Sequence, residues 1–154
     1  MRTIALAAVA LLLALSPMVQ AQQRTRPYPL RSSTPLDRDG INWMLETAEL
    51  SGQSWTSDPT ETACAIVRHL GYTSEPGNRV SVTRDDVPRR APRTSTVVVT
   101  IDGLQDDSIA SERYGFTFAR SPSGRAWRVT WASTAHRCWP GRGVSNAFIA
   151  ENCI

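Results

Sequence analysis

The sequence contains no lysine, and apart from two histidines every basic residue is an arginine. A GC-rich genome favours arginine codons and would explain this without any functional role. The alternative explanation is that arginine side chains recognise phosphates or carboxylates. Basic and acidic residues are nearly balanced, at 17 and 14. This balance does not indicate a nucleic-acid-binding protein, which would carry a large basic surplus.

Sequence motifs of common enzymes and metal sites are also lacking. There is no Gly-x-Ser-x-Gly, and only His69 and His136 are available as imidazole bases for a Ser-His-Asp arrangement. No Cys-x-x-Cys pair suggests zinc, and the aspartates near Asp106 do not alternate like calcium ligands in an EF-hand. No glycine-rich phosphate loop is present. We therefore predict no catalytic residue, no metal site and no cofactor.

One apolar run, residues 4–15, lies between Arg2 and Pro17. It is shorter than the span of about 20 residues that crosses a bilayer. The small residues of Val19-Gln20-Ala21 fit a signal-peptidase cleavage site, and no cysteine follows Ala21 to carry a lipid. The sequence therefore predicts a signal peptide over residues 1–21. The expected product is a soluble periplasmic or secreted protein, not a lipoprotein, with no transmembrane segment after cleavage.

The next segment, residues 22–36, carries three prolines and no apolar period. Proline fixes φ and lacks an N–H, so this segment is predicted to be a flexible arm that forms neither helix nor strand. Residues 37–154 have the length of a single domain.

Two helices are expected at the start of that domain. The first begins near Asp39, and its apolar residues recur at i, i+3, i+4 and i+7. The second begins at Asp58 and Pro59, with Glu61 at the capping-box position, and ends at Gly71. The apolar faces consist of Ile41, Met44, Leu45 and Ala48 in the first helix and Ala63, Ile66, Val67 and Leu70 in the second.

From residue 79 onward the apolar period changes to two, which is typical of antiparallel strands with one solvated face. Four strands are predicted, around residues 80–82, 97–101, 114–118 and 127–131, with residues 84–93 as a charged loop. The expected fold is α+β, with two N-terminal helices packed on one face of a curved four-stranded antiparallel sheet, similar in element order to NTF2-like folds. The predicted core aromatics are Phe116, Phe118, Trp127 and Trp131.

The solvated face of this sheet is the first candidate for ligand binding. Arginine and threonine commonly face solvent in sheets, and this face needs no function to explain it. An anionic ligand would dock on its arginines, or on the two arginines that flank Cys138. The candidate anion-binding or partner-binding residues are Arg79, Arg113, Arg128, Arg137 and Arg142. The same face is predicted to carry Thr96, Thr100, Thr117 and Thr130.

Three cysteines are present, Cys64, Cys138 and Cys153. An exported protein meets an oxidising environment, so one disulfide and one free thiol are expected. Cys138 and Cys153 would close a 15-residue loop, which stabilises the fold by about 3 kcal/mol in the chain-entropy model. A free C-terminal tail would fray without such a link, so this pair is predicted. An alternative stays open, in which Cys64 pairs with Cys138 or Cys153. That bridge would link a helix to the sheet.

The run Arg137-Cys138-Trp139-Pro140-Gly141-Arg142-Gly143, followed by Cys153, is distinctive. With this run, residues 97–153 resemble a group of small exported bacterial proteins of unassigned function. The resemblance also favours the pairing of Cys138 with Cys153, and it implies no activity, ligand or catalytic residue. The other segments that carry it are Asp102-Gly103-Leu104, Asp106-Asp107-Ser108, Glu112-Arg113-Tyr114 and the strand at residues 127–131.

These features together predict a small non-enzymatic binding or interaction module of the cell envelope. Its partner would be an anionic envelope component or a protein, and no nucleic acid is expected. Two alternatives stay open. One is an enzyme that uses a pocket between the helices and the sheet, with catalytic residues that the sequence does not identify. The other is a structural envelope protein.

Overall fold

The structure is a computed structural model that describes residues 28–72 and 75–154. The predicted signal peptide and residues 22–27 of the predicted arm lie outside the described residues. The strands are β1 (Thr34–Pro35), β2 (Arg79–Val87), β3 (Thr94–Asp102), β4 (Ile109–Arg120) and β5 (Trp127–Cys138). The helices are α1 (Arg38–Leu50) and α2 (Pro59–His69), with a short 3₁₀ helix at Ser54–Ser57 between them.

The strands form one open antiparallel sheet in the order β1-β5-β4-β3-β2. The α+β class is therefore confirmed, but the prediction of four strands was wrong. The fifth strand, β1, comes from the proline-rich arm, so the prediction that this arm forms no strand was wrong at Thr34–Pro35. It pairs with β5 through Thr34 and Thr134. Proline is tolerated at a sheet edge, where its missing N–H removes no ladder bond. Because β1 comes first, both helices lie between strands in the chain instead of preceding all of them.

The edge strand β2 is longer than its apolar alternation indicated. It runs to Val87, through residues predicted to form a charged loop. Charged side chains are common on edge strands because they face solvent and discourage pairing with other chains. Here Arg84 contacts the carboxylates of Asp58 and Asp86, each at 2.8 Å.

The sequence located the start of α2 correctly. The side chain of Asp58 accepts hydrogen bonds from the backbone N–H groups of Thr60 at 2.8 Å and Glu61 at 3.0 Å, and Pro59 is the first helical residue. These bonds satisfy N–H groups that have no partner within the helix. The same role at α1 belongs to Asp37, two residues before the predicted start.

Both helices cover the same face of the sheet, which we call the inner face. Helix α1 packs on β5, and α2 packs on β3 and β4. Trp127 is buried at one end of this layer, where its indole N–H donates to the Ser57 carbonyl at 3.1 Å. No helix within the described ranges is long and apolar enough to cross a membrane. The core between helices and sheet includes Ile41, Leu45, Ala63, Ile66, Val67, Val97, Val99, Ile101, Phe116, Phe118, Trp127 and Val129.

Trp131 does not belong to this core, so its predicted burial was wrong. Thr117 pairs with Trp131 but Phe118 pairs with Val129, which leaves Thr130 as an extra residue in β5. Such a bulge shifts the alternation of side chains. Trp131 therefore turns to the opposite side of the sheet, where it is 46% exposed. It lies against Gly115, where an added Cβ would be 3.1 Å from the indole Cζ3.

Candidate functional site

The face of the sheet opposite the helices, which we call the outer face, holds three of the five predicted arginines at one end. One row of paired residues crosses the sheet as Arg79, Asp102, Ser111 and Arg137. Arg113 lies in the neighbouring row of β4. Side chains directly opposite on one face have Cβ atoms about 5 Å apart. We call Arg79, Arg113 and Arg137 the arginine cluster.

Arg137 is held in place by its neighbours. Its Nη2 donates to the Ser111 hydroxyl oxygen at 2.6 Å and lies 3.7 Å from an Asp102 carboxylate oxygen. The Ser111 hydroxyl in turn donates to that carboxylate at 2.5 Å. The guanidinium carbon lies 4.4 Å from the centre of the Tyr28 ring. These contacts fix the guanidinium of Arg137 and place the Asp102 carboxylate beside it.

Arg113 is held differently. Its guanidinium carbon lies 4.1 Å above the Phe148 ring, and its buried Nε has no hydrogen-bond partner within residues 28–72 and 75–154. Burial lowers the pKa of Arg113, while the charge of Asp102 acts in the opposite direction. Arginine nevertheless stays charged in proteins. The cluster therefore contains a cation that is positioned by stacking and forms no ion pair with any described residue.

Arg79 completes the cluster from the edge strand. It is exposed and lies opposite Asp102 in the β2–β3 pair. The cluster thus combines three guanidinium groups with one carboxylate. A guanidinium offers parallel N–H donors that match the oxygens of a phosphate or carboxylate. The arrangement is suited to an anion that spans more than one strand.

The other two predicted arginines lie elsewhere. Arg128 is near the opposite end of β5 and forms an ion pair with Glu49 of α1. Hydrogen bonds from Ser123 and then Arg128 lower the pKa of that glutamate. Arg142 is exposed on the turn after β5, and its carbonyl accepts a hydrogen bond from the Ile154 N–H at 2.7 Å. Neither side chain belongs to the arginine cluster.

The predicted threonines divide in a similar way. Thr100 is directly opposite Arg113 and therefore next to the arginine cluster. Thr96 and Thr117 lie opposite each other further along the same face. Thr130 is the bulged residue of β5, and its hydroxyl donates to the Thr117 carbonyl at 3.0 Å.

Two aromatic residues that sequence analysis missed position the cluster. Tyr28 and Phe148 belong to the segments on either side of the central elements. These segments bind each other: the Phe148 N–H donates to the Pro29 carbonyl at 2.8 Å, and the Arg31 N–H donates to the Phe148 carbonyl at 2.9 Å. Neither segment shows an apolar period. No local signal could therefore have identified these aromatics as partners of the arginines.

The sulfur atoms of Cys138 and Cys153 lie at bonding distance, 2.10 Å. The ring of His136 lies beside them, and the potential ligand atoms of all three residues are within 4.8 Å of one another. Both sulfurs are engaged in the disulfide, and His136 Nε2 contacts the Glu151 carbonyl at 2.5 Å. The group therefore serves to hold the C-terminal segment against β5.

Cys64 is a free, half-buried thiol on α2. Burial, followed by the negative charge of Glu61, raises the pKa of this thiol. A raised pKa keeps sulfur protonated at neutral pH, and the thiol is a poor nucleophile. This environment does not favour a nucleophilic role for Cys64.

A groove of about 420 Å³ lies on the inner side of the molecule, beyond the C-terminal end of α2. Its wall includes Leu70 and Tyr72 after the helix, and Glu112 and Tyr114 on β4. No arginine lines the groove within the part of the chain that the structure describes. It is therefore separate from the arginine cluster.

Comparison with known proteins gives no match: no family model, no curated protein and no solved structure is similar to this chain.

Proposed function

We propose that this protein is an exported, non-enzymatic binding module that engages a phosphate-bearing anionic component of the cell envelope through the arginine cluster. The single observation that carries the proposal is Arg113, a cation fixed by stacking that forms no ion pair in the described part of the chain. A partly buried charge without a paired charge costs free energy, and an incoming anion would offset that cost.

The surroundings of Arg113 support an anion over a neutral ligand. Asp102 already interacts with Arg137 and Ser111, so the cluster retains a positive surplus. The row that holds Arg79 and Arg137 spans four strands, which separates these two guanidinium groups along the sheet. A ligand with several phosphates or a surface of anionic headgroups can contact them together.

Two further proposals concern the setting of this function. Export is supported by the leader-like residues 1–21 and by the Cys138–Cys153 pair at disulfide distance. A relation to NTF2-like folds is supported by the two helices on one face of an antiparallel sheet.

The test is binding to phosphatidylglycerol vesicles, measured at low and high salt, with phosphatidylcholine vesicles as the neutral reference. The Arg79→Gln/Arg113→Gln double variant removes two charges and leaves the structural contacts of Arg137 intact. Each arginine near an anionic surface contributes about 1 kcal/mol, so this variant should bind about 30-fold more weakly. Added salt should weaken binding of the unmodified protein.

The matched control is Arg89→Gln/Arg90→Gln. Both residues are exposed in the loop after β2, so this variant loses the same charge away from the cluster. It should keep most of the affinity. Equal losses in the two double variants would mean that only net charge matters, and the proposed site would then be wrong.

A further inference from the structure

We infer that the groove beyond α2 is a second binding site, specific for a small organic cation that joins an ammonium group to an apolar body. This site is independent of the arginine cluster and of the function proposed for it. The inference is based on the shape of the groove, its charge and a buried polar atom without a partner.

The groove has the size of a small-molecule site. Ligand pockets generally enclose about 300–1,000 Å³, with apolar walls and a few polar groups. At about 420 Å³, this groove falls within that range. Its apolar and aromatic wall consists of Leu70, Tyr72, Leu104, Ile109 and Tyr114.

The charged residues of the wall are all acidic. Glu75, Asp106 and Glu112 line the groove, and none of the described lining residues is basic. Asp106 is fixed as an anion because its carboxylate accepts hydrogen bonds from the N–H of Ile109 at 2.6 Å and of Ser108 at 2.8 Å. These bonds lower the pKa of Asp106. Three carboxylates without a basic neighbour in the wall attract a cation.

Glu112 is the carboxylate best placed to orient a ligand. One of its oxygens accepts the Tyr114 hydroxyl at 2.8 Å, so the side chain is held on the groove side of β4. Burial and this hydrogen bond raise the pKa of Tyr114, which keeps the phenol neutral. His136 lies opposite Glu112 in the β4–β5 pair but contacts the Glu151 carbonyl. The second oxygen of Glu112 has no protein donor within the described residues.

Asn78 supplies an acceptor that also lacks a partner. Its amide nitrogen donates to the Tyr72 hydroxyl at 3.4 Å, while its amide oxygen is buried with no hydrogen bond in the described chain. Buried polar atoms are generally paired, so this unpaired acceptor beside the groove is one that a ligand donor would satisfy. An ammonium group donates up to three hydrogen bonds and has no acceptor.

The C-terminal end of α2 and the tyrosines of the wall also favour a cation in the groove. The groove begins where α2 ends, and the C-terminal end of a helix carries partial negative charge. Arg68 and His69 in the last turn of α2 are exposed and do not line the groove. Tyr72 and Tyr114 line the groove, and aromatic rings attract cations. Carboxylates, an amide oxygen and aromatic rings together select an amine with an apolar substituent.

The experiment compares two probes of similar size and opposite charge, phenethylamine and 3-phenylpropionate. Each is titrated into the full oxidised protein while backbone amide shifts are recorded by NMR. Phenethylamine should bind at least about 10-fold more tightly, with shifts concentrated at residues 70–72, 104–106 and 112–114. Equal affinity for the two probes, or shifts spread over the whole surface, would overturn the inference.

Variants then locate the site. Glu112→Gln should weaken phenethylamine binding about 10-fold, whereas Glu46→Gln, an exposed change on α1, should leave it unchanged. If Glu112→Gln does not fold, Glu75→Gln provides the test, because Glu75 is exposed at the rim of the groove. Unchanged amine binding in the folded groove variant contradicts the site. The Arg79→Gln/Arg113→Gln variant should bind phenethylamine normally, so failure of one proposal is distinguishable from failure of the other.

Discussion

The guanidinium carbon of Arg113 lies 4.1 Å above the centre of the Phe148 ring. This contact joins the middle of β4 to the C-terminal segment, which the disulfide anchors through Cys153. A single buried ring therefore supports both the fold and the proposed anion site.

Phe148 should be essential for stability, because it is only 1% exposed. Replacing a buried phenylalanine by alanine costs about 3–5 kcal/mol through lost burial and the resulting cavity. We expect Phe148→Ala to lower the free energy of unfolding by that amount in urea denaturation. Phe148→Leu retains most of the apolar volume and should cost clearly less. A loss below about 1 kcal/mol in the alanine variant would contradict the packing described here.

The two tryptophans of β5 should respond differently to truncation. Trp127 is fully buried, so Trp127→Ala should cost about 3–5 kcal/mol. Trp131 lies on the outer face with one side against Gly115, and Trp131→Ala should cost about 1 kcal/mol or less. Thermal or urea unfolding of the two variants measures the difference. Equal costs would mean that the bulge at Thr130 is misplaced.

Reduction of the disulfide should destabilise the domain. The bridge closes a 15-residue separation, which corresponds to about 3 kcal/mol in the chain-entropy model. We expect the free energy of unfolding to fall by about this amount when reductant is added. The variant Cys64→Ser should show the same response, since Cys64 is not part of the bridge. In the oxidised native protein, only Cys64 should react with a thiol reagent, and slowly, because burial raises the pKa of its thiol.

Asp58 should make the free energy of unfolding depend on pH in the acidic range. Burial alone would raise its pKa, but hydrogen bonds from the Glu61 N–H, Arg84 and the Thr60 N–H hold it below the ordinary value of 3.8. The unfolded chain therefore binds a proton more readily, and stability is lost as the pH falls from about 3.8 toward the lower folded pKa.

Two substitutions separate the cap of α2 from this charge. Asp58→Ala removes both and should cost about 1 kcal/mol from the cap alone at neutral pH. Asp58→Asn keeps a capping oxygen and loses the ion pair with Arg84. Its stability should fall less steeply below pH 3.8 than that of the unmodified protein. Parallel acid profiles for the two proteins would exclude Asp58 as a contributor.

The parts of the fold that depend on nearby residues were predictable from sequence. The start of α2 is marked by Asp58, Pro59 and Glu61, which lie within four positions of one another. Their side chains favour a helix N-terminus whatever the rest of the chain does. The change to a two-residue period likewise identified the four long strands. By contrast, β1 pairs Thr34 with Thr134, and the side chain of Asn42 bonds the backbone of Val129. Contacts between residues so far apart in sequence have no local signal.

The candidate site was predictable only in part. Individual arginines could be identified from the sequence around them, but which of them lie together depends on the pairing of distant strands. Sequence alternation assigned Arg79, Arg113 and Arg128 to the solvated face, and Arg137 and Arg142 were candidates because they flank Cys138. The strand register then decided that Arg79 and Arg137 share a row and that Arg128 lies elsewhere, beside Glu49. The single extra residue at Thr130 moved Trp131 to the outer face, and a regular alternation cannot anticipate a bulge.

The most direct test of the central claim is the affinity for phosphatidylglycerol vesicles of the Arg79→Gln/Arg113→Gln variant beside that of Arg89→Gln/Arg90→Gln. The claim predicts a loss of about 30-fold in the first variant and little change in the second. Equal affinity of the two variants, or no binding by the unmodified protein even at low salt, would contradict an anion site at the arginine cluster.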